Sequence, residues 1–322
     1  MASIRPFLLL AALPFSLVAC GGDDGGEPMI VPEGEHTQYV ASKANVPTNN
    51  NQAREYGLDL DGNGVADNQL GMVLGTLSTM GFDIQTTIDD AVNEGSIILL
   101  VDFQTKDFTN TTAAGIKILL GSNPMPQPCT DPAMPTPATC GKHLAGTGMF
   151  SISSTSPSDA ALGGKIINGT FTGGPGDLSL QIALGSTEPL TLDLIGARAK
   201  ASAITATDIG SVILAGALTE SDLNTKVIPA IAAQIAPVIA ADCTMPASPP
   251  GCGCMASSTG KTVLDLFDGG DGTPKNCMVS VEEIKMNSLI QSLLAPDVTI
   301  NGVKALSLGI KIEAKHATFP AQ

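Results

Sequence analysis

Apolar residues change their spacing twice along the chain. Leu70, Val73, Leu74, Leu77 and Met80 recur at helical intervals and stop at Gly81. Asp83 then caps a second predicted helix, with Ile84, Ile88, Ala91 and Val92 on its inner face and Gly95 at its end. A strand-like stretch, 37–46, precedes both. From Ser96 the period falls towards two. Residues 97–104, 114–120, 146–154, 164–172, 177–184, 190–195, 197–205 and 211–215 read as strands, broken by glycine or proline turns such as Gly173-Gly174-Pro175-Gly176. In 197–205 the alternation sets Arg198, Lys200 and Ser202 on one side and Ala197, Ala199, Ala201 and Ala203 on the other. The following helix, capped by Thr219 with Glu220 and Asp222 in its first turn, is also alanine-rich, which predicts close helix-on-sheet packing with little room for a bound lipid. Pro229 and Pro237 are expected to kink it. Shorter helices follow at 262–267 and after Glu283. Val298 to Ile300 and Ala305 to Phe319 return to strand, so the chain closes the sheet it opened near Tyr39. The fold class predicted is α+β: one domain with an antiparallel sheet, sandwich-like or curved, covered by several helices.

The N-terminus has a different pattern. One basic residue, Arg5, precedes an apolar run from Phe7 to Val18, the layout of a secretory signal. Leu17-Val18-Ala19-Cys20, followed by Gly21 and Gly22, resembles the lipobox of bacterial lipoproteins. That resemblance implies cleavage before Cys20, diacylglycerol on its thiol and an acylated amino group. Gly21 in place of Asp is compatible with sorting to the outer membrane, as lipoprotein rules imply. The domains are then a signal peptide at 1–19, a Gly-, acid- and Pro-rich flexible tether at 20–35, and a globular domain at 36–322. Outside the leader no apolar run reaches the roughly 18 residues of a spanning helix, so the acyl chains are the expected membrane contact. Losing Arg5 with the leader leaves 15 basic against 31 acidic residues, a net charge of −16. Such a surface disfavours nucleic acid and favours divalent cations.

Once Cys20 is given to lipid, six cysteines remain: Cys129, Cys140, Cys243, Cys252, Cys254 and Cys277. An even number in an exported chain reads as three disulfides. Cys129 and Cys140 bracket a loop, 122–142, that holds six prolines, and they are expected to pair. The other four allow three pairings, of which Cys243 with Cys252 and Cys254 with Cys277 is favoured. A zinc site at Cys252-Gly253-Cys254 is the alternative.

The most specific chemistry is Asp59-Leu60-Asp61-Gly62-Asn63-Gly64-Val65-Ala66-Asp67. Oxygen side chains at alternate positions, with Gly at the sixth, let a short loop wrap a hard cation. It resembles the first nine positions of an EF-hand loop, and more closely the calcium repeats of thrombospondin type 3 and dockerin modules. By that resemblance Asp59, Asp61 and Asn63 supply side-chain oxygens, Val65 its carbonyl, and Asp67 a carboxylate directly or through water. The twelfth position is Leu70 where those families hold an acid, so one carboxylate must come from elsewhere. The other reading is a solvated acidic turn that caps the next helix. A weaker candidate combines Asp268, Asp271 and Glu283, where Val279, Ser280 and Glu283 resemble the outgoing half of an EF-hand. An insertion carrying Cys277 interrupts it, and a disulfide is an alternative staple to calcium.

Enzyme motifs are missing. None of His36, His143 and His316 stands in a recognisable relation to a nucleophile or metal partner, and no Gly-x-Ser-x-Gly or His-Glu-x-x-His occurs. Gly260-Lys261-Thr262 mimics the end of a P-loop, but Met255 occupies the earlier glycine position, so no nucleotide partner is expected. The lipobox, Tyr56 to Gly62, Ile195 to Ala199 and the Val-Ser-Val-Glu-Glu-Ile region resemble a family of uncharacterised Gram-negative lipoproteins. The resemblance implies export and anchoring but no activity. The expected protein is a non-enzymatic envelope or surface lipoprotein, stabilised by calcium and disulfides, whose partner is an unknown protein or envelope component met at loop 122–142. The alternative is a carrier of a lipid or other apolar ligand between helix and sheet, and an enzyme is third.

Overall fold

The computed structural model describes residues 30–79, 84–131, 135–136, 138–157, 161–182, 190–243, 249 and 251–320. The leader, Cys20, most of the tether, Met80, Gly81 and Asp83 lie outside them.

Among the described residues ten strands form: β1 (Glu35–Asn45), β2 (Leu99–Thr105), β3 (Thr111–Met125), β4 (Gly148–Ile152), β5 (Ala161–Ile167), β6 (Thr170–Ile182), β7 (Leu190–Ile204), β8 (Asp208–Thr219), β9 (Val298–Ile300) and β10 (Val303–Thr318). Eight of them, β1-β2-β3-β5-β6-β7-β8-β10, pair antiparallel in that order, and β10 pairs back onto β1 with Tyr39 opposite His316. The sheet is therefore a closed barrel. β4 adds against β3 and β10, and β9 against β10.

This corrects the expected α+β sheet covered by helices. A sheet closed on itself buries its inner face with its own side chains, so it needs no helical cover. Tyr39, Val101, Phe103, Ile116, Leu162, Phe171, Leu180, Leu192 and Leu214 fill the interior. Among the described residues the α-helices are α1 (Asn50–Glu55), α2 (Gln69–Thr79), α3 (Ile84–Glu94), α4 (Glu220–Asp222), α5 (Ile228–Asp242), α6 (Thr259–Phe267), α7 (Val281–Met286) and α8 (Ser288–Leu293). Their apolar residues, among them Leu70, Ile88, Ile235, Phe267 and Ile284, join the inward-facing barrel residues in one cluster. Helices can reach the inside of a closed barrel only through an open end, so they plug a mouth. Two separate clusters cover patches of the outer wall, one under β4 around Phe150 and one under β9 around Ile300.

Several expectations change with closure. Ala197, Ala199 and Ala201 face the barrel interior rather than a helix, and Ala201 lies opposite Phe171. Small residues there leave space for large rings: Phe171 meets Phe103 edge-on, with centroids 5.2 Å apart. Ala203 turns outward at φ 54°. The alanine-rich helix packs instead on α6 and α7. Together α4, a π-helical turn at Leu223–Val227 and α5 run unbroken over Glu220–Asp242; Pro229 sits in the first turn of α5 and Pro237 lies inside it. This 23-residue helix has the length and composition to span a membrane, but Leu223, Val227, Ile231, Ile235 and Ile239 are buried in the core.

His143 is wholly buried beside Phe150, and neither ring nitrogen makes a well-formed hydrogen bond. Burial holds its pKa down at about 4, with a weak opposing pull from the Val92 carbonyl. The folded protein thus binds this proton less readily than the unfolded chain. Stability is unaffected above pH 6.5, falls as pH drops from about 6.5 towards 4, and levels off below; the loss from this group is at most about 3 kcal/mol. Urea melts at pH 7 and pH 4.5 should differ by less in His143→Phe than in the parent.

Candidate metal centre

The first acidic loop hangs between α1 and α2 on the outer wall of the barrel. Asn49 caps α1 by accepting from the Asn51 and Gln52 amides. Leu58 and Asp67 then form an isolated antiparallel bridge, in which the Asp67 amide donates to the Leu58 carbonyl at 3.0 Å. The bridge pinches residues 59–66 into a closed loop, and Leu60 pins it by burying against Ala215, Val298 and Ile300. The polar residues of the loop then organise one another. Asp59 accepts the Gly62 and Gly64 amides at 2.8 and 2.9 Å, Asp61 accepts Asn63 at 3.1 Å, Asn63 accepts Val65 at 2.7 Å, and Asp67 accepts Leu60 at 2.8 Å. Gly64 takes φ +84°, a left-handed conformation that a side chain resists and that turns its amide onto Asp59.

These bonds bring three carboxylates together. One oxygen from each of Asp59, Asp61 and Asp67 lies within 4.8 Å of the others. Asp67 is buried, and its pKa is raised first by that burial and then by the charges of Asp61, Asp297 and Asp59, against a downward pull from the Leu60 amide. Like charges so close repel, and a divalent cation relieves the repulsion while using lone pairs that the amides leave open. Asp59, Asp61 and Asp67 fit a calcium ion by donor type. Leu70, at the twelfth loop position, is buried in the core and contributes nothing. Asp297, which arrives from the far end of the chain beside β9, adds to the negative charge felt by Asp67 without joining the cluster of three. Its carboxylate accepts the Ser307 amide at 2.8 Å and the Ser307 hydroxyl.

The second acidic loop is assembled differently. Asp268 accepts the Asn276 and Cys277 amides at 2.9 and 3.0 Å. Glu283 accepts the Gly269 and Ser280 amides, both at 2.7 Å, the latter completing a capping box at the start of α7. Asp271 stays at the surface, where Thr273 lowers its pKa by hydrogen bonding. Among the described residues Asp268, Asp271 and Glu283 form no common cluster. Asp268 does approach Cys252 and Cys277, but those sulfurs are bonded to each other and offer no thiolate.

Three disulfides are present: Cys129–Cys140, Cys243–Cys254 and Cys252–Cys277. The first is as expected. The other two differ from the favoured Cys243–Cys252 and Cys254–Cys277, because Cys243 leaves α5 in an extended conformation and pairs as a β-bridge with Cys254. Cys252, at φ 48°, turns inward to reach Cys277. With every thiol in this pair of bridges used, zinc has no ligands at Cys252-Gly253-Cys254. His36, by contrast, stands at the surface and contacts Asp102 at 3.0 Å. Residues 122–125 of the expected loop belong to β3, and a 3-10 turn, Lys142–Leu144, stands at its other end.

A groove of about 1330 Å³ borders the first acidic loop. Leu58 and Asp59 form one side, segment 30–32 the other, and the outer faces of β5, β6 and β7 the floor.

Comparison of the chain with protein-family models, with curated proteins and with solved structures finds no match to any of them. The likeness to Gram-negative lipoproteins therefore stands on its motifs alone.

Proposed function

We propose that this chain is an exported, non-enzymatic binding protein of the cell envelope, anchored through acyl chains on Cys20 and stapled by one calcium ion held by Asp59, Asp61 and Asp67. The observation that carries the reading is the convergence of those three carboxylates within 4.8 Å on a loop already folded by its own amides. Three disulfides fit an oxidising compartment. The packed barrel interior supports a binder over a carrier of apolar ligands, since a carrier needs space inside. Anchoring and outer-membrane placement rest on the lipobox and are tested by the intact mass of the mature N-terminus.

Calcium is tested by melting the mature chain in chelator and in millimolar calcium. Loops of this kind in extracellular modules bind at about 10⁻⁴ to 10⁻³ M. At ten times the dissociation constant the gain is about 1.4 kcal/mol, a rise in Tm of a few degrees. Affinity should weaken as pH falls through the raised pKa of Asp67, because proton and metal compete. Asp61→Asn should abolish the shift; an unshifted parent, or an equal shift in the variant, rejects the site.

A further inference from the structure

The histidine left unsatisfied by the fold sits under the strand that is added to the outside of the barrel. His143, in the turn that precedes β4, is 0% exposed, and neither ring nitrogen finds a hydrogen-bond partner. Its ring lies edge-on to Phe150 of β4, with centroids 6.0 Å apart. A Cβ on Gly95, just past α3, would lie 3.6 Å from the His143 Nε2 and 2.6 Å from the Pro128 ring. The Val92 carbonyl pulls weakly on the imidazole but already accepts the Gly95 amide at 3.2 Å. Charged groups stand on the elements around it: Asp89, Asp90 and Glu94 on α3, Asp131 beyond Pro128, Lys142 on its own turn and His316 on β10. On β1, His36 contacts Asp102 and Lys43 pairs with Glu313, while β4 carries no charge. None of these acts on the ring, whose proton affinity is set by burial and the Val92 carbonyl.

Turn and strand together cover the outer wall of β1, β2 and β3, where Val40, Leu100 and Leu119 lie buried under Phe150 and Phe319. The cover is thinly fastened. Among the described residues β4 meets β10 at Gly148 and Met149, and β3 at Met149, Ser151 and Ile152. The seam that closes the barrel, β1 on β10, is made without it. Gly141 and Gly146, left-handed at φ 82° and 89°, flank His143 and offer hinge points. His316 Nδ1 contacts the Gly146 carbonyl at 3.3 Å, and because a protonated ring carries a hydrogen there, acid leaves that contact in place. We propose that residues 141–152 form an acid-released strap, which lifts from the outer wall when His143 takes a proton and uncovers the apolar patch around Val40, Leu100 and Leu119. A buried imidazolium would hold two N–H groups without acceptors and a charge without a counter-ion. Lifting the strap brings the ring to water and leaves the barrel closed. The device does not depend on calcium in the acidic loop.

The test is amide hydrogen exchange of the mature chain at pH 7 and pH 5, in chelator throughout and corrected for intrinsic rates, with Nile red fluorescence followed in parallel. His143 titrates at about 4 when covered and near 6.5 in water, so opening should become about twentyfold easier between the two pH values. The amides of 141–153 are expected to lose protection by that factor, and Nile red to brighten, while β8 amides stay protected far beyond those of the strap. His143→Phe should remove the pH dependence of the strap. A second variant covers the chance that this one misfolds. Met125 and Met149 are exposed and directly opposite across β3 and β4, so Met125→Cys/Met149→Cys should lock the strap by a disulfide. The locked chain should neither bind dye nor lose strap protection at pH 5 until a mild reductant frees the exposed bridge. Strap protection equal at both pH values, strap and β8 amides exchanging as one unit, or acid-induced dye binding that persists in the locked chain would each overturn the proposal.

Discussion

Replacing Phe171 with alanine is expected to remove about 3–5 kcal/mol of stability, a larger loss than any surface substitution in this chain should cause. The ring is fully buried and sits where two requirements meet. It fills the space that Ala201 leaves opposite it, and it packs edge-on against Phe103 across the barrel interior. A closed barrel cannot collapse onto a lost ring as a loose helical layer can, because eight strands hold its circumference through continuous ladders. The cavity should therefore stay largely open, and the cost should approach the upper end of the range. Urea unfolding of Phe171→Ala against the parent measures it. A cost below about 1.5 kcal/mol would indicate that the ring does not face a packed interior. Phe171→Leu should recover more than half of the loss.

Removing the Cys252–Cys277 bridge should cost nearly as much. It spans 25 residues, the longest separation of the three disulfides. Loop-closure entropy for that length amounts to about 3.5 kcal/mol, within the roughly 2–5 kcal/mol seen when native disulfides are lost. The site adds to the purely entropic term. Both sulfurs are buried, and the segment they hold positions Asp268 to accept the amides of Asn276 and Cys277. In an EF-hand a metal would organise the equivalent turn; here amides, a capping box and a disulfide do so. Cys252→Ala/Cys277→Ala should lower Tm by several degrees in the presence or absence of calcium alike. The Cys129→Ala/Cys140→Ala pair, closing only 11 residues near the protein's edge, should cost less.

Much of the local structure was legible in the sequence, and the closure was not. The helix stripe beginning at Leu70 and the strands at β1, β2, β9 and β10 follow from periodicity, because each buries one face. Even the meeting of the first and last strands could be anticipated. The hairpin between β5 and β6 was missed, although its signal was present. Asn168-Gly169, at φ 50° and 74°, forms a tight turn in the middle of what reads as one strand over 164–172. The opposite error occurred at Gly173-Gly174-Pro175-Gly176. Those residues look like a turn but run inside β6, where they break the register and bend the strand around the barrel. Gly196 does the same within β7, joining two expected strands into one.

The candidate site divides along similar lines. The clustering of Asp59, Asp61 and Asp67 was legible, because these acids and the glycines that turn the loop fall within nine residues. The nearness of Asp297 was not, since it arrives from the far end of the chain. The alanine face of β7 was correctly read as facing something close. What lies there is the interior of a barrel, and period-two patterning cannot distinguish a sheet that meets a helix from one that meets itself.

We propose a single divalent ion held by Asp59, Asp61 and Asp67. Calorimetric titration of the chelator-treated chain with calcium tests this most directly. One ion per chain is predicted, with dissociation in the range of about 10⁻⁴ to 10⁻³ M and complete loss in Asp59→Asn. Heat corresponding to no ion, or a stoichiometry of two that brings in Asp268 and Glu283, would contradict it.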